Sequence, residues 1–497
     1  MNVAQSLSSA AERHPDKVAL RYANESITYA QMETRAYRAA CKLAELGVGR
    51  GDRVALLVPN HPKFPILYHA ILRVGAVAVT ISAQAAPPEI EQQIAGVEAR
   101  LVIAMPPLER SLPDASSMPA TEAVLLLDES KSLRDPLFSP EIEQRLEGIA
   151  GMDRDDPAAI VFTSGTLDRP RGAILTHGNV RSNVAAAIVE AGIGEADRLL
   201  CCVPLSHCFG QNFVMNAAIE AGAELVLHPR WDLEEIVASI ERHRVTMFFG
   251  VPTMYRRLLA ADVPAARLAS LRYAFSAAAA LPLETSRAWR ARYAIPIHEG
   301  YGLTECSPCA SYNHRHRWKE GSVGQPIEGV TIVVAHPATG EPLPIGGRGE
   351  VLIRGPNVMA GYYGDPAATD LVVRDGWLHT GDLGYFDAEG YLFLVGRLRE
   401  MINAGGNAVS PREVEDVLTT HPEVEDAAVI GAPDEDLGER VKAFVVPREP
   451  GRLTAGELKG FARRHLAGYK VPRDVVFVES IPRAPGTGKR LRRLLEP

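Results

Sequence analysis

Glu224-Leu-Val-Leu-His-Pro-Arg-Trp-Asp-Leu-Glu-Glu-Ile-Val-Ala-Ser-Ile-Glu-Arg-His-Arg-Val-Thr-Met-Phe-Phe249 sets the fold class. Residues 224–227 and 245–249 are short apolar runs, as strands buried on both faces require. Between them Leu233, Ile236, Val237 and Ile240 recur at helical spacing, and Asp232 stands where an N-cap belongs. Outward from this unit, 199–203 and 271–275 read as further buried strands. Nearer the start, a strand at 54–58, a helix over 64–74 and a strand at 76–80 repeat the alternation. Strand, helix, strand in this order implies right-handed crossovers and a largely parallel sheet, so the class is α/β.

The last hundred residues read differently. A short helix over 411–418 precedes two strands, 427–430 and 441–446, which pair across Pro433-Asp-Glu-Asp-Leu-Gly438. A helix near 454–466 and a strand at 475–478 complete a small α+β unit. A chain of 497 residues is too long for one core, so a large N-terminal domain of mostly parallel sheets with flanking helices and a small C-terminal domain are expected.

Composition narrows the function. Apolar content of 46% and charged content of 23% are those of a soluble globular protein. The net charge of −8 lies entirely upstream of residue 398, because the remainder holds 16 basic and 16 acidic residues. That argues against a nucleic-acid or anionic-membrane binder. No apolar run of about 20 residues predicts a membrane span, and the N-terminus lacks a secretory pattern. Six scattered cysteines make no disulfide framework, so a cytoplasmic setting is expected. Cys306-Ser-Pro-Cys309 has metal-ligand spacing without a second pair, and free thiols are its plainer reading.

The chemistry-bearing motifs come in order. Thr163-Ser164-Gly165-Thr166 opens a polar loop after an apolar run, where hydroxyls and bare N–H groups cradle phosphate oxygens; alone it reads equally as a surface turn. Tyr301-Gly-Leu-Thr-Glu305 joins an aromatic face, a hydroxyl and a carboxylate. Thr380-Gly-Asp382, Gly396-Arg397-Leu-Arg399 and Gly488-Lys489 follow. Over nearly its whole length the sequence resembles the adenylate-forming family: acyl-CoA synthetases, aryl-CoA ligases, luciferases and amino-acid adenylation domains.

The resemblance implies roles. Thr163, Ser164, Gly165, Thr166 and Arg171 match the family's phosphate loop, with Arg171 where lysine is usual. Leu167 and Asp168 also depart from that loop, and each change opposes phosphate binding by about 1 kcal/mol. Ala278, Ala279, Glu299, Gly300, Tyr301 and Gly302 line the nucleotide, with Tyr301 on adenine, Thr304 at the α-phosphate and Glu305 on Mg²⁺. Asp382 accepts both ribose hydroxyls, assisted by Arg397. His207, Phe209, Gly210, Ser276, Ala277, Gly302 and Leu303 match the acyl pocket. Lys489 matches the catalytic cation, one residue later than the family pattern; its plain alternative is a solvated basic tail formed with Arg483, Arg490, Arg492 and Arg493. Gly405 and Gly406 match the loop of the CoA tunnel.

The implied division is an adenylation domain over 1–396, a hinge at 397–400 centred on Arg399, and a mobile lid over 401–497. The implied reaction converts a fatty or aryl acid to an acyl-adenylate with ATP and Mg²⁺, then to a thioester with coenzyme A, releasing AMP and pyrophosphate. An alternative acceptor is the phosphopantetheine of an acyl carrier protein. An alternative of another class is a non-catalytic acyl or nucleotide sensor, motivated by Leu167, Asp168 and the extra residue before Lys489. A homodimer is allowed. Residues 206–213 hold no aspartate for an α-amine, which disfavours amino-acid activation.

Overall fold

A computed structural model describes residues 1–106, 108–127, 136–163, 170–404, 407–434, 438–484, 488 and 490–495, without the side chains of Glu109, Pro136, Arg399, Ala408 and Arg493. The chain forms two compact units. One comprises Met1–Glu320, Gly324–Thr331 and Ile353–Leu378; the other comprises Gly321–Val323, Ile332–Leu352 and His379–Pro497.

In the first unit the deciding stretch folds as expected. Glu224–Leu227 and Met247–Gly250 are strands with every residue buried, joined by the helix Leu233–His243. The Asp232 carboxylate accepts the Glu235 N–H at 3.2 Å, and Ile236, Val237 and Ile240 are buried on the inner face. The two strands are not neighbours. Arg198–Cys201 lies between them, parallel to both. Tyr273–Ser276 and Ile297–Gly302 continue the parallel run, and Cys309–Tyr312 and Gln325–Pro326 close that edge antiparallel. Nine described strands make this sheet.

A second sheet holds Arg53–Leu57 between Val77–Thr80 and Leu101–Ala104, all parallel. Pro157–Phe162 extends it in parallel, and Gly172–Thr176 and Gly361–Tyr362 follow antiparallel. The helix Lys63–Arg73 is buried along its whole length, which accounts for its nearly unbroken apolar sequence.

In the second unit Val424–Asp434 and Gly438–Pro447 pair antiparallel, and Asp474–Phe477 adds in parallel. Helices Pro411–Leu418 and Ala455–His465 belong to the same core through Val414, Leu418, Leu458 and Ala462. Each such buried side chain contributes about 1–3 kcal/mol. A further sheet, not foreseen from the sequence, pairs Trp377–Phe386 with both Gly349–Arg354 and Leu392–Arg397. The α/β class holds, with a large part of mostly parallel sheets and a small α+β part.

Candidate functional site

Ile297–Gly302 runs parallel to Tyr273–Ser276 and puts Glu299 opposite Ser276. It then turns back on itself, pairing Gly302 with Cys309. A Cβ on Gly302 would lie 1.7 Å from the Pro308 carbonyl oxygen, and one on Gly300 would lie 2.8 Å from the Phe275 ring. Only glycine fits such an approach. Thr304–Cys306 is one turn of 3₁₀ helix, locked by Cys306 N–H to Leu303 O at 2.9 Å and by the Cys306 thiol to Pro308 O at 2.9 Å. Thr304 and Glu305 stay half-exposed on this turn, whereas Glu299 and Tyr301 are buried.

Beyond Ser276, Ala277 is half-buried and Ala278 and Ala279 are exposed. Ala278 is held at φ +69°, a left-handed conformation costing an alanine about 1 kcal/mol. Ser276 Oγ is buried without a hydrogen-bond partner.

The His207 turn abuts the same place. Cys208 lies against Thr304 and Glu305, and burial pushes its thiol pKa far up. Asn60 holds the turn: its Nδ2 donates to Val203 O at 3.0 Å, and its Oδ1 accepts the Leu205 N–H at 2.9 Å. Thr80 Oγ1 donates to Ser206 O at 3.1 Å. Gly210 packs where a Cβ would meet Pro204 O at 2.3 Å. From Phe209 to Asn216 the chain forms a π-helix, a widened coil frequent at functional sites. The half-buried Phe209 ring sits 5.8 Å from Phe275 and 6.0 Å from Phe213, while Phe213, Phe275 and Tyr312 stack on one another at 4.8–5.4 Å. Burial lowers the pKa of His207, so its imidazole is neutral at pH 7.

The hairpin that carries the expected phosphate loop is described at its base. Pro157–Phe162 and Gly172–Thr176 pair antiparallel, and Thr163 N–H donates to Arg171 O at 2.9 Å. Ser164, Gly165 and Thr166 lie outside the described residues. Arg171 Nε bonds Asp365 Oδ2 at 3.0 Å, and its guanidinium lies 5.7 Å from the Tyr362 ring centre. The Tyr362 hydroxyl in turn donates to Glu305 Oε1 at 2.6 Å. Neither Tyr362 nor Asp365 was singled out from the sequence. The Asp365-Pro366 helix start was a visible signal, but the contact with Glu305 spans 57 residues.

The second unit brings Asp382 and Arg397 together: they are cross-strand partners, with Arg397 Nε 2.7 Å from Asp382 Oδ1. The turn before Asp382 is organised by Glu350, which sequence reading missed. Its Oε1 accepts the Gly381 N–H at 3.0 Å, and its Oε2 is 3.2 Å from His379 Nδ1. Arg399 belongs to the 3₁₀ turn Leu398–Glu400. Gly405, Gly406 and Lys489 lie outside the described residues.

Residues flanking Lys489 correct the solvated-tail reading. Arg483 and Arg490 face each other in an antiparallel bridge, and Leu491 N–H donates to Pro482 O at 2.8 Å. Arg490 reaches Glu415 at 3.0 Å and Asp426 at 2.8 Å. Arg492 makes three guanidinium bonds to Glu415, from Nε to Oε1 at 3.0 Å and from Nη2 to Oε1 and Oε2 at 2.9 and 2.8 Å, and also pairs with Glu400. Arg483 pairs with Asp426. Glu415 is 1% exposed. The tail arginines Arg483, Arg490 and Arg492 are therefore structural, docked on buried carboxylates.

Among the described residues no group of three or more His, Cys, Asp or Glu is placed to hold a metal, and no helix is long and apolar enough to cross a membrane. The Cys306 and Cys309 thiols bond backbone carbonyls instead. Glu305 fits a magnesium ion that arrives with a nucleotide: such an ion takes most ligands from phosphates and water and asks one or two carboxylates of the protein.

Comparison with known proteins supplies the family. Residues 7–363 match the family model "AMP-binding enzyme", and residues 413–489 match "AMP-binding enzyme C-terminal domain". A feruloyl-CoA synthase from Amycolatopsis is 36% identical over 485 residues, spanning 97% of this chain and 96% of its own length. The ATP-bound structure of MatB from Rhodopseudomonas palustris superposes with TM-score 0.93 at 31% identity, covering 100% of this chain and 98% of its own. An o-succinylbenzoate coenzyme A synthetase from Bacillus subtilis, solved with ATP and magnesium, superposes with TM-score 0.87 at 29% identity, covering 99% and 98%. The chain belongs to the AMP-binding enzyme family, the adenylate-forming enzymes it resembles in sequence, and is an AMP-forming acid–CoA ligase that uses ATP, Mg²⁺ and coenzyme A.

Proposed function

We propose that the acid is aromatic. The observation that carries this is the aromatic wall behind the His207 turn: Phe209 is half-buried and packs on Phe213 and Phe275. An aryl ring gains on such faces about 0.5–1.5 kcal/mol beyond its area burial. The similarity to a feruloyl-CoA synthase supports the same class.

The chemistry has two halves. A carboxylate oxygen attacks the α-phosphorus of ATP, the bond to the β,γ-unit breaks, and pyrophosphate leaves with the electron pair. The neutral His207 lines the carboxylate route without adding charge. Thr304 donates to the α-phosphate, and Asp382, held by Arg397, accepts the ribose hydroxyls. Thr163, Ser164, Gly165, Thr166 and Arg171 surround the departing phosphates. Bound at Glu305, magnesium supplies charge neutralisation on phosphate oxygens. Lys489 places an ammonium between carboxylate and phosphate as charge builds. A lid over 401–497 then turns about Arg399 within the hinge 397–400, withdrawing Lys489 from the domain over 1–396 and bringing in Gly405 and Gly406. The CoA sulfur attacks the acyl carbon, loses its proton, and AMP leaves. A cytoplasmic setting suits these substrates.

The test is a panel of acids with ATP, Mg²⁺ and either CoA or an acyl carrier protein, in wild type and Lys489→Ala. Expected is thioester formation highest with ferulate, 4-coumarate or benzoate and with CoA. Lys489→Ala should slow adenylate formation by about 100–1,000-fold while sparing thioester formation from supplied aryl-adenylate. A preference for palmitate or malonate sinks the aromatic reading. A preference for the carrier protein replaces CoA as acceptor, and absence of ATP–pyrophosphate exchange with every acid favours a sensor.

A further inference from the structure

We propose that Tyr362 is a positioning residue for the magnesium-holding carboxylate, and that Asp365 and Arg171 brace it; this rests on Glu305 as the cation's ligand. A carboxylate that serves a metal through one oxygen must have its plane fixed by partners on the other. The Tyr362 hydroxyl supplies this, donating to Glu305 Oε1 at 2.6 Å, a short charge-assisted bond. The remaining oxygen, Oε2, is then the one offered to a cation.

The donor itself is held on several sides. Its backbone pairs with Ala173 of Gly172–Thr176, the strand that begins beside Arg171. Its own N–H donates to Thr369 Oγ1 at 2.9 Å. The Arg171 guanidinium covers its ring at 5.7 Å and is itself pinned at 3.0 Å by Asp365, the cap of helix Pro366–Val372.

The arrangement also suits an arginine at position 171, where the resemblance leads one to expect lysine. A planar guanidinium stacks on a ring and bonds a carboxylate at once, which an ammonium does poorly. Arg171 thereby joins the base of the phosphate hairpin to the Glu305 turn through one aromatic ring. Tyr362→Phe removes only the hydroxyl and keeps the stacked ring.

The decisive measurement is Mn²⁺ binding by electron paramagnetic resonance, with α,β-methylene-ATP, on wild type, Tyr362→Phe, Asp365→Asn and Glu305→Gln. Nucleotide binding without metal and thermal unfolding serve as fold controls. Expected for Tyr362→Phe is about a 10-fold weaker Mn²⁺ affinity with metal-free nucleotide binding unchanged. Asp365→Asn, which loosens Arg171 without touching the hydroxyl, should give a smaller loss in the same direction and stands in if Tyr362→Phe folds poorly. If Glu305→Gln binds Mn²⁺ as tightly as wild type, the assignment of Glu305 is wrong. If Glu305→Gln weakens binding and neither Tyr362→Phe nor Asp365→Asn does, Glu305 stands and the positioning role is overturned.

Discussion

At residues 300–305 the chain is held in place by shape; at Arg483, Arg490 and Arg492 it is held by charge. In the first region Gly302 leaves no room for a Cβ against Pro308, and the turn carrying Thr304 and Glu305 closes on backbone and thiol bonds. In the second, Arg483, Arg490 and Arg492 dock on Asp426, Glu415 and Glu400. Sterics act at all pH values and salt concentrations. Buried ion pairs depend on both partners remaining charged.

Breaking the charge-held region should give the largest effect. Glu415→Gln removes the buried charge that Arg490 and Arg492 share, leaving Arg490 on Asp426 alone and Arg492 on Glu400 alone, at a cost of about 3 kcal/mol. Denaturant unfolding should show that loss. Adenylate formation should fall further than thioester formation from supplied aryl-adenylate, because Lys489 adjoins Arg490. Equal losses in both halves would make the cluster a stabiliser only.

Acid should separate the two regions next. His61, His69, His177, His228 and His298, all in the first unit, have pKa values lowered to about 4, chiefly by burial. Unfolded, they titrate near 6.5. Their neutral folded forms therefore favour folding fully above about pH 6.5, and that advantage is lost as pH falls toward 4. For Asp426 burial acts upward, but Arg490 and Arg483 outweigh it and hold the carboxyl below its usual value. Its contribution is intact above about pH 4 and disappears only as pH falls through the depressed value. Hydrogen exchange between pH 7 and 3 should show the first unit loosening before the tail cluster; the reverse order would contradict this.

Ala278→Gly should have the smallest effect and the opposite sign. It relieves the left-handed alanine and should add less than about 1 kcal/mol of stability, read as a small rise in Tm.

The contrast also explains what the sequence revealed. Buried strands such as Glu224–Leu227, the Asp232 cap and the helix Pro411–Leu418 depend on local pattern and appear where expected. The Tyr301–Glu305 motif is equally local, since it consists of five consecutive residues. Partners chosen across distance were not legible. Arg490 finds Glu415 across 75 residues, and Tyr362 finds Glu305 across 57. Without the fold, an arginine-rich tail and a tyrosine pair after a glycine look like ordinary surface. The sheet that pairs Trp377–Phe386 with Leu392–Arg397 was hidden for a related reason: in its central strand His379, Thr380 and Asp382 interrupt the apolar residues, so Leu392–Val395 had no legible partner.

The bridge between Arg483 and Arg490 ties two points of the C-terminal segment to a shared anchor. Both ends of that segment are fastened to carboxylates contributed by another part of the chain, since Arg483 and Arg490 both reach Asp426 and Arg490 also reaches Glu415, so one buried pair of acids sets where the segment begins and where it ends.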